Sequence, residues 1–313
     1  MLTILYLLRL RLPALDGGLA VGGGGGGAAA VRRHAAAAPP VHFVRAGAAR
    51  LLTHLIMVPG HAITMGDGLA AAPETDEAWH LLDYQREHDV GITFVDHIQG
   101  GVTLAAADTA ALLLFSGGQT RADAGPKSEG FSYFAVAEAN SWWGQPQVRG
   151  RAASEEFARD SFENLLFSVA RFREITGHYP EKITIVGYDF KRDRYVNQHA
   201  AALRYPARAV SYLGIAPRGA RFDTAGATAG EAAHAALPFK TDPYGCGSPV
   251  LADKRRDRNP YAREPPYPLT APEMAELLRW CGPGIYAGAL PWDPPAAEGG
   301  KEEGAGGKAA AAA

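Results

Sequence analysis

Hydrophobic and polar positions alternate along the chain in a way that marks out four segments, residues 54–60, 112–118, 155–164 and 183–194. Three of them are apolar runs that break into Gly, His, Ser, Asp or Arg. The remaining one is a carboxylate-rich helix start lying between the second and third runs. Short apolar runs bounded by turn residues read as buried strands. Residues 53–58 (THLIMV), 112–115 (LLLF), 182–186 (KITIV) and 209–215 (AVSYLGI) are the predicted strands. A helix is predicted over 154–176, where Phe162, Leu165, Leu166, Val169 and Phe172 form one apolar stripe of helical period. Gly177 and Pro180 stop it.

Further helices are predicted from Thr75 to Val90, where Thr75, Asp76 and Glu77 offer a cap and an acidic first turn, and over 102–111, 131–143 and 192–203. Residues 92–95 (ITFV) read as an additional strand or a helix entry, and Val148 marks a short strand. Strands alternating with helices at this spacing argue for parallel pairing and right-handed crossovers, hence a three-layer α/β sandwich with a mostly parallel sheet. From Ala216 onward Pro and Gly rise, and the one helix signal is at 272–281.

The expected organisation is a low-complexity or targeting segment at 1–50, an α/β domain at 51–216, an irregular extension packed on it at 217–295, and a disordered Gly/Ala/Lys/Glu tail at 296–313. No run approaches the roughly 18 apolar residues of a spanning helix. The first fifteen residues are apolar but interrupted by Arg9 and Arg11, and the Gly/Ala/Pro stretch behind them is that of filler or a transit peptide rather than a span. A 47% apolar content supports a sizeable core, and a net charge of -2 gives no reason to expect nucleic acid as a partner. Cys246 and Cys281 lack Cys-x-x-Cys spacing and suit a reducing, cytoplasmic compartment, with organellar targeting and a single bridge both left open.

Polar groups delivered by strand ends build a crevice in an open α/β sheet. Gly60-His61 follows the first strand, where His61 is either a proton-exchanging group or a packed ring. Ser116-Gly117-Gly118 closes the second, as an anion nest or a tight turn. Ser116 lacks the Gly-x-Ser-x-Gly elbow and is not read as a nucleophile. Glu155, Glu156, Asp160 and Glu163, with Asn164 beside them, fall in the first turns of the periodic helix, as crevice carboxylates or as a solvated acidic face. Asp189, Lys191, Arg192, Asp193 and Arg194 follow the third strand, and Arg194 is the preferred grip on a phosphate or carboxylate. The KRRDR run at 254–258 sits in loop texture and reads as a surface patch.

Gly60-His61, Ser116-Gly117-Gly118, Glu129, the stretch from Glu155 to Asn164 and Phe190 to Arg194 together resemble the domain-of-unknown-function 218 (DUF218) family, which includes the bacterial YdcF, SanA and ElyC proteins. The resemblance covers roughly residues 52 to 215. Residues 231–292, with Tyr244-Gly245-Cys246-Gly247 and Arg258-Asn259-Pro260, look like the C-terminal extension of a eukaryotic branch. It implies a Rossmann-like domain, adenosylmethionine or nucleotide binding in some members, and envelope or lipid-linked sugar roles in the bacterial ones. Two departures stand out: Lys191 where the family pattern has a His, and Ser161-Phe162 where a Thr or Ser precedes the Glu-Asn pair. The first removes a proton shuttle.

The expected function is an enzyme, a hydrolase or transferase, acting on an anionic, phosphorylated or nucleotide-like small molecule. His61, Glu155, Asp160 and Glu163 would supply acid–base groups; Gly117, Gly118 and Arg194 would hold the anion, Lys191 would add charge, and Gly60, Ser116, Glu129, Asn164 and Asp189 would complete the binding set. No metal ligand is assigned. The alternatives are a regulatory protein that binds adenosylmethionine or a nucleotide without turnover, and a scaffold acting through its extension. An oxidoreductase fits less well, because no Gly-x-Gly-x-x-Gly follows a strand.

Overall fold

The computed structural model describes residues 46–66 and 73–294. Most of the 1–50 segment, the Asp67-Gly68 part of the first loop and the whole of the 296–313 tail lie outside the described residues.

Five strands form one all-parallel sheet: β1 (His54–Pro59), β2 (Ala111–Ser116), β3 (Ala152–Glu155), β4 (Lys182–Tyr188) and β5 (Val210–Ile215). Their spatial order is β3-β2-β1-β4-β5, with every neighbouring pair parallel. Helices α1 (Val90–Ala107), α2 (Glu129–Ala139) and α3 (Ser161–Thr176) make the first three crossovers, and a π-helical stretch, Arg194–His199, continued by Ala200–Ala202, makes the last. This is a Rossmann-like α/β fold, as the alternation of strand and helix signals predicts.

Residues of alternate parity in β1 serve opposite layers. Ile56 and Val58 pack with Phe94, Ile98 and Val102 of α1 and Tyr133 and Val136 of α2. Leu55 and Met57 pack with the α3 stripe of Phe162, Leu165, Val169 and Phe172. Both strand faces being covered explains why the strands read as continuous apolar runs rather than alternating ones. Burying Leu55 and Met57 at 0% exposure contributes about 1.5–3 kcal/mol each relative to leaving them in water.

Three expectations fail, each for a local reason. The periodic helix does not begin near Ser154. Ala152–Glu155 pairs instead with β2 as the edge strand, and the helix is capped by Asp160, whose carboxylate accepts from the Glu163 amide at 2.9 Å. Pairing with β2 holds residues 152–155 extended, and the helix starts where Asp160 can cap it. The segment from Thr75 to Val90 is not a helix. It folds into short 3-10 turns and a two-residue ladder in which Trp79–His80 pairs antiparallel with Ile63–Thr64. Asp76 spends its carboxylate on the amides of Asp89 and Gly91 at the start of α1, so the acid caps a helix fourteen residues later than read. Val148 lies in a helical turn, Pro146–Arg149, rather than a strand.

The C-terminal part is more regular than its composition suggests. It contains α4 (Thr224–Glu231), α5 (Pro249–Asp257) and shorter turns. Phe239, Tyr244, Leu251, Tyr267, Met274 and Leu277 join the α3-side core, so this part is packed against the sheet's helical layer. Cys246 and Cys281 form a disulfide across 35 residues, which resolves the open question about the two thiols in favour of a bridge. Among the described residues no helix is long and apolar enough to cross a membrane.

Candidate functional site

In the order β3-β2-β1-β4-β5, crossovers leave β1 and β4 in opposite directions, and a crevice opens between their carboxyl ends. A cavity of about 700 Å³ occupies that place, walled by Gly60-His61 behind β1 and by Tyr188, Phe190 and Lys191 at the end of β4. The remaining wall comes from the start of α3 and from the C-terminal part, through Glu231, Lys254 and Arg258.

One side of the cavity is aromatic. The rings of Phe190, Phe222 and His61 lie roughly parallel to Tyr188, with centroids 5.0, 5.6 and 5.2 Å away and interplanar angles of 22°, 28° and 28°. Such a shelf accepts a planar ring by stacking. The Lys191 ammonium lies 5.0 Å from the Tyr188 centroid.

Facing the shelf are cations. Lys191, Lys254 and Arg258 have no carboxylate within ion-pairing distance among the described residues. Burial pushes Lys191 down to about 8; Arg194, Lys254 and Arg258 push the same way and Glu231 opposes them. Burial likewise brings Lys254 down to about 8, helped by Arg258 and Arg194. Among the described residues Arg258 donates only to the Arg159 carbonyl, at 3.1 Å. Arg194, by contrast, is engaged. Its Nε and Nη2 meet Glu231 at 2.5 and 2.9 Å, and its Nη1 donates to Ser161 Oγ. The bidentate grip expected for a ligand is given to a carboxylate of the protein's own extension.

Of the expected acid–base groups, His61 is placed in the cavity wall, with Nε2 shielded and unpartnered. Burial, then Lys191 and His97, hold its pKa well below the ordinary histidine value, so it is neutral at pH 7. Glu129 is one of the cavity carboxylates, accepting from the Thr120 hydroxyl. The acids of the 155–164 stretch are neither a solvated face nor a ring of free carboxylates. Asp160 caps α3 and meets Arg255 Nε at 2.5 Å. Glu163 accepts from the Arg159 amide and Nε, both at 2.9 Å, and is 3.4 Å from Arg255. Glu155 is fully buried at the end of β3, accepting from Ser116 Oγ at 2.7 Å, Tyr267 OH at 2.9 Å and the Phe157 amide at 2.8 Å. Burial pushes its carboxyl up to about 7 against the pull of those bonds. Asn164 ties the same group together, donating to the Ser116 carbonyl at 3.0 Å.

The Ser-Gly-Gly turn is not an anion nest. The Gly117 and Gly118 amides already donate to the carbonyls of Glu155 and Ala158, at 3.0 and 2.7 Å. Gly60 and Gly117 are needed for close approach: a Cβ at either would come within 2.5 or 2.7 Å of Glu129 Cβ. The two glycines therefore seat Glu129. Gly60, His61, Glu129, Asp160, Asn164, Lys191 and Arg194 share the cavity, whereas Ser116, Gly117, Gly118, Glu155 and Glu163 lie behind its wall and Asp189 is exposed outside it. The KRRDR run is a surface patch only in part: Arg256 and Asp257 are exposed, but Arg255 is buried on Asp160, and Lys254 and Arg258 line the cavity. Ser248-Pro249, a cap residue followed by proline at the first helical position, was the signal that this run is helical. Among the described residues no group of His, Cys, Asp or Glu is arranged to hold a metal ion.

Fold and cavity together define a Rossmann-like α/β protein whose switch-point crevice is completed by its own C-terminal part. No family model matches the chain. No solved structure matches it either. The uncharacterized protein YOR238W of Saccharomyces cerevisiae is 30% identical over 261 residues, an alignment covering 68% of this chain and 86% of the yeast protein. The chain belongs to the YOR238W family.

Proposed function

We propose that the protein is an enzyme, a hydrolase or transferase, that binds a phosphorylated, nucleotide-like small molecule in the crevice. The observation that carries this reading is the pairing of an aromatic shelf with three cations that have no carboxylate within ion-pairing distance among the described residues. A half-buried ammonium without an ion-pair partner is costly, and a phosphate relieves that cost while gaining charge-assisted hydrogen bonds. Lys191, Lys254 and Arg258 would hold the phosphate, and the Tyr188 shelf would take the planar group. His61, neutral at working pH, and Glu129 would be the acid–base groups within reach of the bound molecule.

A second reading, a sensor that binds without turnover, is favoured by the engagement of Glu155, Asp160 and Glu163 in fixed contacts, which leaves few groups free for proton transfer. Its ligand would be a nucleotide rather than adenosylmethionine, since a sulfonium beside Lys191 repeats the sign already in excess. Calorimetric titration with ADP, AMP, adenosylmethionine and inorganic pyrophosphate tests the reading, followed by assays for phosphate release or transfer from the tightest binder. Binding of ADP that is lost in Lys191→Met supports it. No heat with any phosphate compound refutes it, and binding without turnover selects the sensor.

A further inference from the structure

The acid–base candidates read from the sequence leave one hydroxyl aside. Ser161 begins α3, and its side chain reaches the crevice, where it lines the same cavity as Lys191, Lys254 and Arg258. Its Oγ lies 2.8 Å from Nε2 of His199, and it accepts from Nη1 of Arg194. His199 is fully buried, its ring packed edge-on against Phe239, Tyr195 and Phe162. Those contacts fix the imidazole, while its Nδ1 has no partner.

Both partners come from the π-helical stretch Arg194–His199. Residues five apart on an α-helix diverge by about 140°, so a regular helix could not aim both at one hydroxyl. A π turn, an irregularity concentrated at functional sites, brings them together. Arg194 donates to one lone pair of Oγ; with the His199 proton on Nδ1, the hydroxyl donates to Nε2 and its second lone pair is left for a reacting atom.

We propose that Ser161 is a catalytic nucleophile and His199 its base, forming a phosphoserine intermediate from a phosphate ester or anhydride bound in the crevice. This rests on the phosphate reading of the site. Oγ attacks phosphorus, the bond from phosphorus to the leaving oxygen breaks, and the hydroxyl proton passes to Nε2 and then to that oxygen. Water next attacks the phosphoserine, the phosphorus–Oγ bond breaks, and the proton that water loses through His199 returns to Ser161. Arg194 stabilises the alkoxide as it forms. Burial, then Arg194, hold the His199 pKa well below the ordinary value, so the ring is unprotonated and accepting throughout the neutral range. That makes it a weak base, and the guanidinium on the hydroxyl offsets the weakness by favouring loss of the same proton.

The test is to treat the full chain with diisopropyl fluorophosphate and locate any adduct by peptide mass, with ADP binding followed in parallel by calorimetry. A single adduct on Ser161, slowed by pyrophosphate and formed about 100-fold more slowly in His199→Gln, is expected, since a general base contributes on the order of 10²–10⁴ in rate. Ser161→Ala should bind ADP and take no label. If His199→Gln does not fold, the site of labelling and its protection in the native chain decide the matter alone. Native protein that binds ADP but leaves Ser161 unlabelled overturns the nucleophile and spares the phosphate reading. A labelling rate unchanged in folded His199→Gln overturns the base. Protein that labels at Ser161 but binds no phosphate compound keeps the nucleophile and sinks the phosphate reading.

Discussion

Arg255→Met removes a guanidinium while keeping most of its apolar stem in place. In the native chain Arg255 Nε is 2.5 Å from Asp160, with the two side chains 12% and 3% exposed. Burial by itself pushes the Asp160 carboxyl up, and Arg255, with the Glu163 amide, outweighs it and holds the group below the usual carboxylate range. Without Arg255 the carboxylate keeps only its cap bond at 2.9 Å. Breaking a buried pair from one side costs about 3–5 kcal/mol, and the surviving cap bond places the expected loss near the lower end, about 3 kcal/mol. For a chain of this size that corresponds to a fall in Tm of roughly 6–12 °C. Calorimetric or urea unfolding of Arg255→Met, Asp160→Asn and the double variant would measure it, with an expected coupling of about 2 kcal/mol. The pH sign is fixed too. A group whose pKa is lowered on folding contributes stability above its unfolded value, near 3.9, and loses it as pH falls through the folded value. The difference between native and variant should therefore shrink in acid. A loss below about 1 kcal/mol at pH 7, or additive single effects, refutes the reasoning that the C-terminal part is held by this pair.

Glu155 has the opposite sign: its pKa, raised by burial to about 7, makes stability decline between the unfolded value near 4.3 and pH 7. Glu155→Gln should flatten that slope in urea unfolding from pH 4.5 to 7.5; an unchanged slope would place the titration elsewhere. Lys191→Met should weaken pyrophosphate or ADP binding by about 10- to 150-fold, the worth of one charge-assisted bond of about 1.5–3 kcal/mol, read by calorimetry. Native affinity for the same probes should be greatest below pH 8 and fall above it, because Lys191 and Lys254 both lose their protons near 8. Cys246→Ser, compared with native protein under non-reducing conditions, should lose about 2–4 kcal/mol, since the bridge closes a loop of 35 residues.

The sheet was legible because its strands are buried on both faces, so that residues such as 112–115 carry no polar interruption until they reach Ser116. The edge strand beside β2 was not, because Ala152–Glu155 is short, two of its residues are only half-buried, and Ser154-Glu155 imitates a helix start. The location of the crevice followed from where the strands end; Glu129 came only from the family resemblance, whereas His61 and Lys191 were singled out from those ends. The roles of Glu155, Asp160, Glu163 and Arg194 were not, since each depends on a partner more than thirty residues away or on a backbone amide that the primary pattern does not reveal. Lys254, Arg255 and Arg258 were missed because Pro- and Gly-rich surroundings hid a nine-residue helix. Ser161 and His199 are visible only through a π turn, which has no recognisable periodicity of its own.

One consequence concerns synthesis. Cys246 and Cys281 bracket the stretch that delivers Lys254, Arg255 and Arg258, and all of it emerges from the ribosome after the last strand, Val210–Ile215. A nascent chain halted at that strand would hold Asp160 without Arg255 and Arg194 without Glu231, each a charge without its counterpart on an unfinished wall. The cations Lys254 and Arg258 therefore join the crevice only once the segment after Ile215 has folded onto the sheet, and a chain ended at that strand carries the sheet without them.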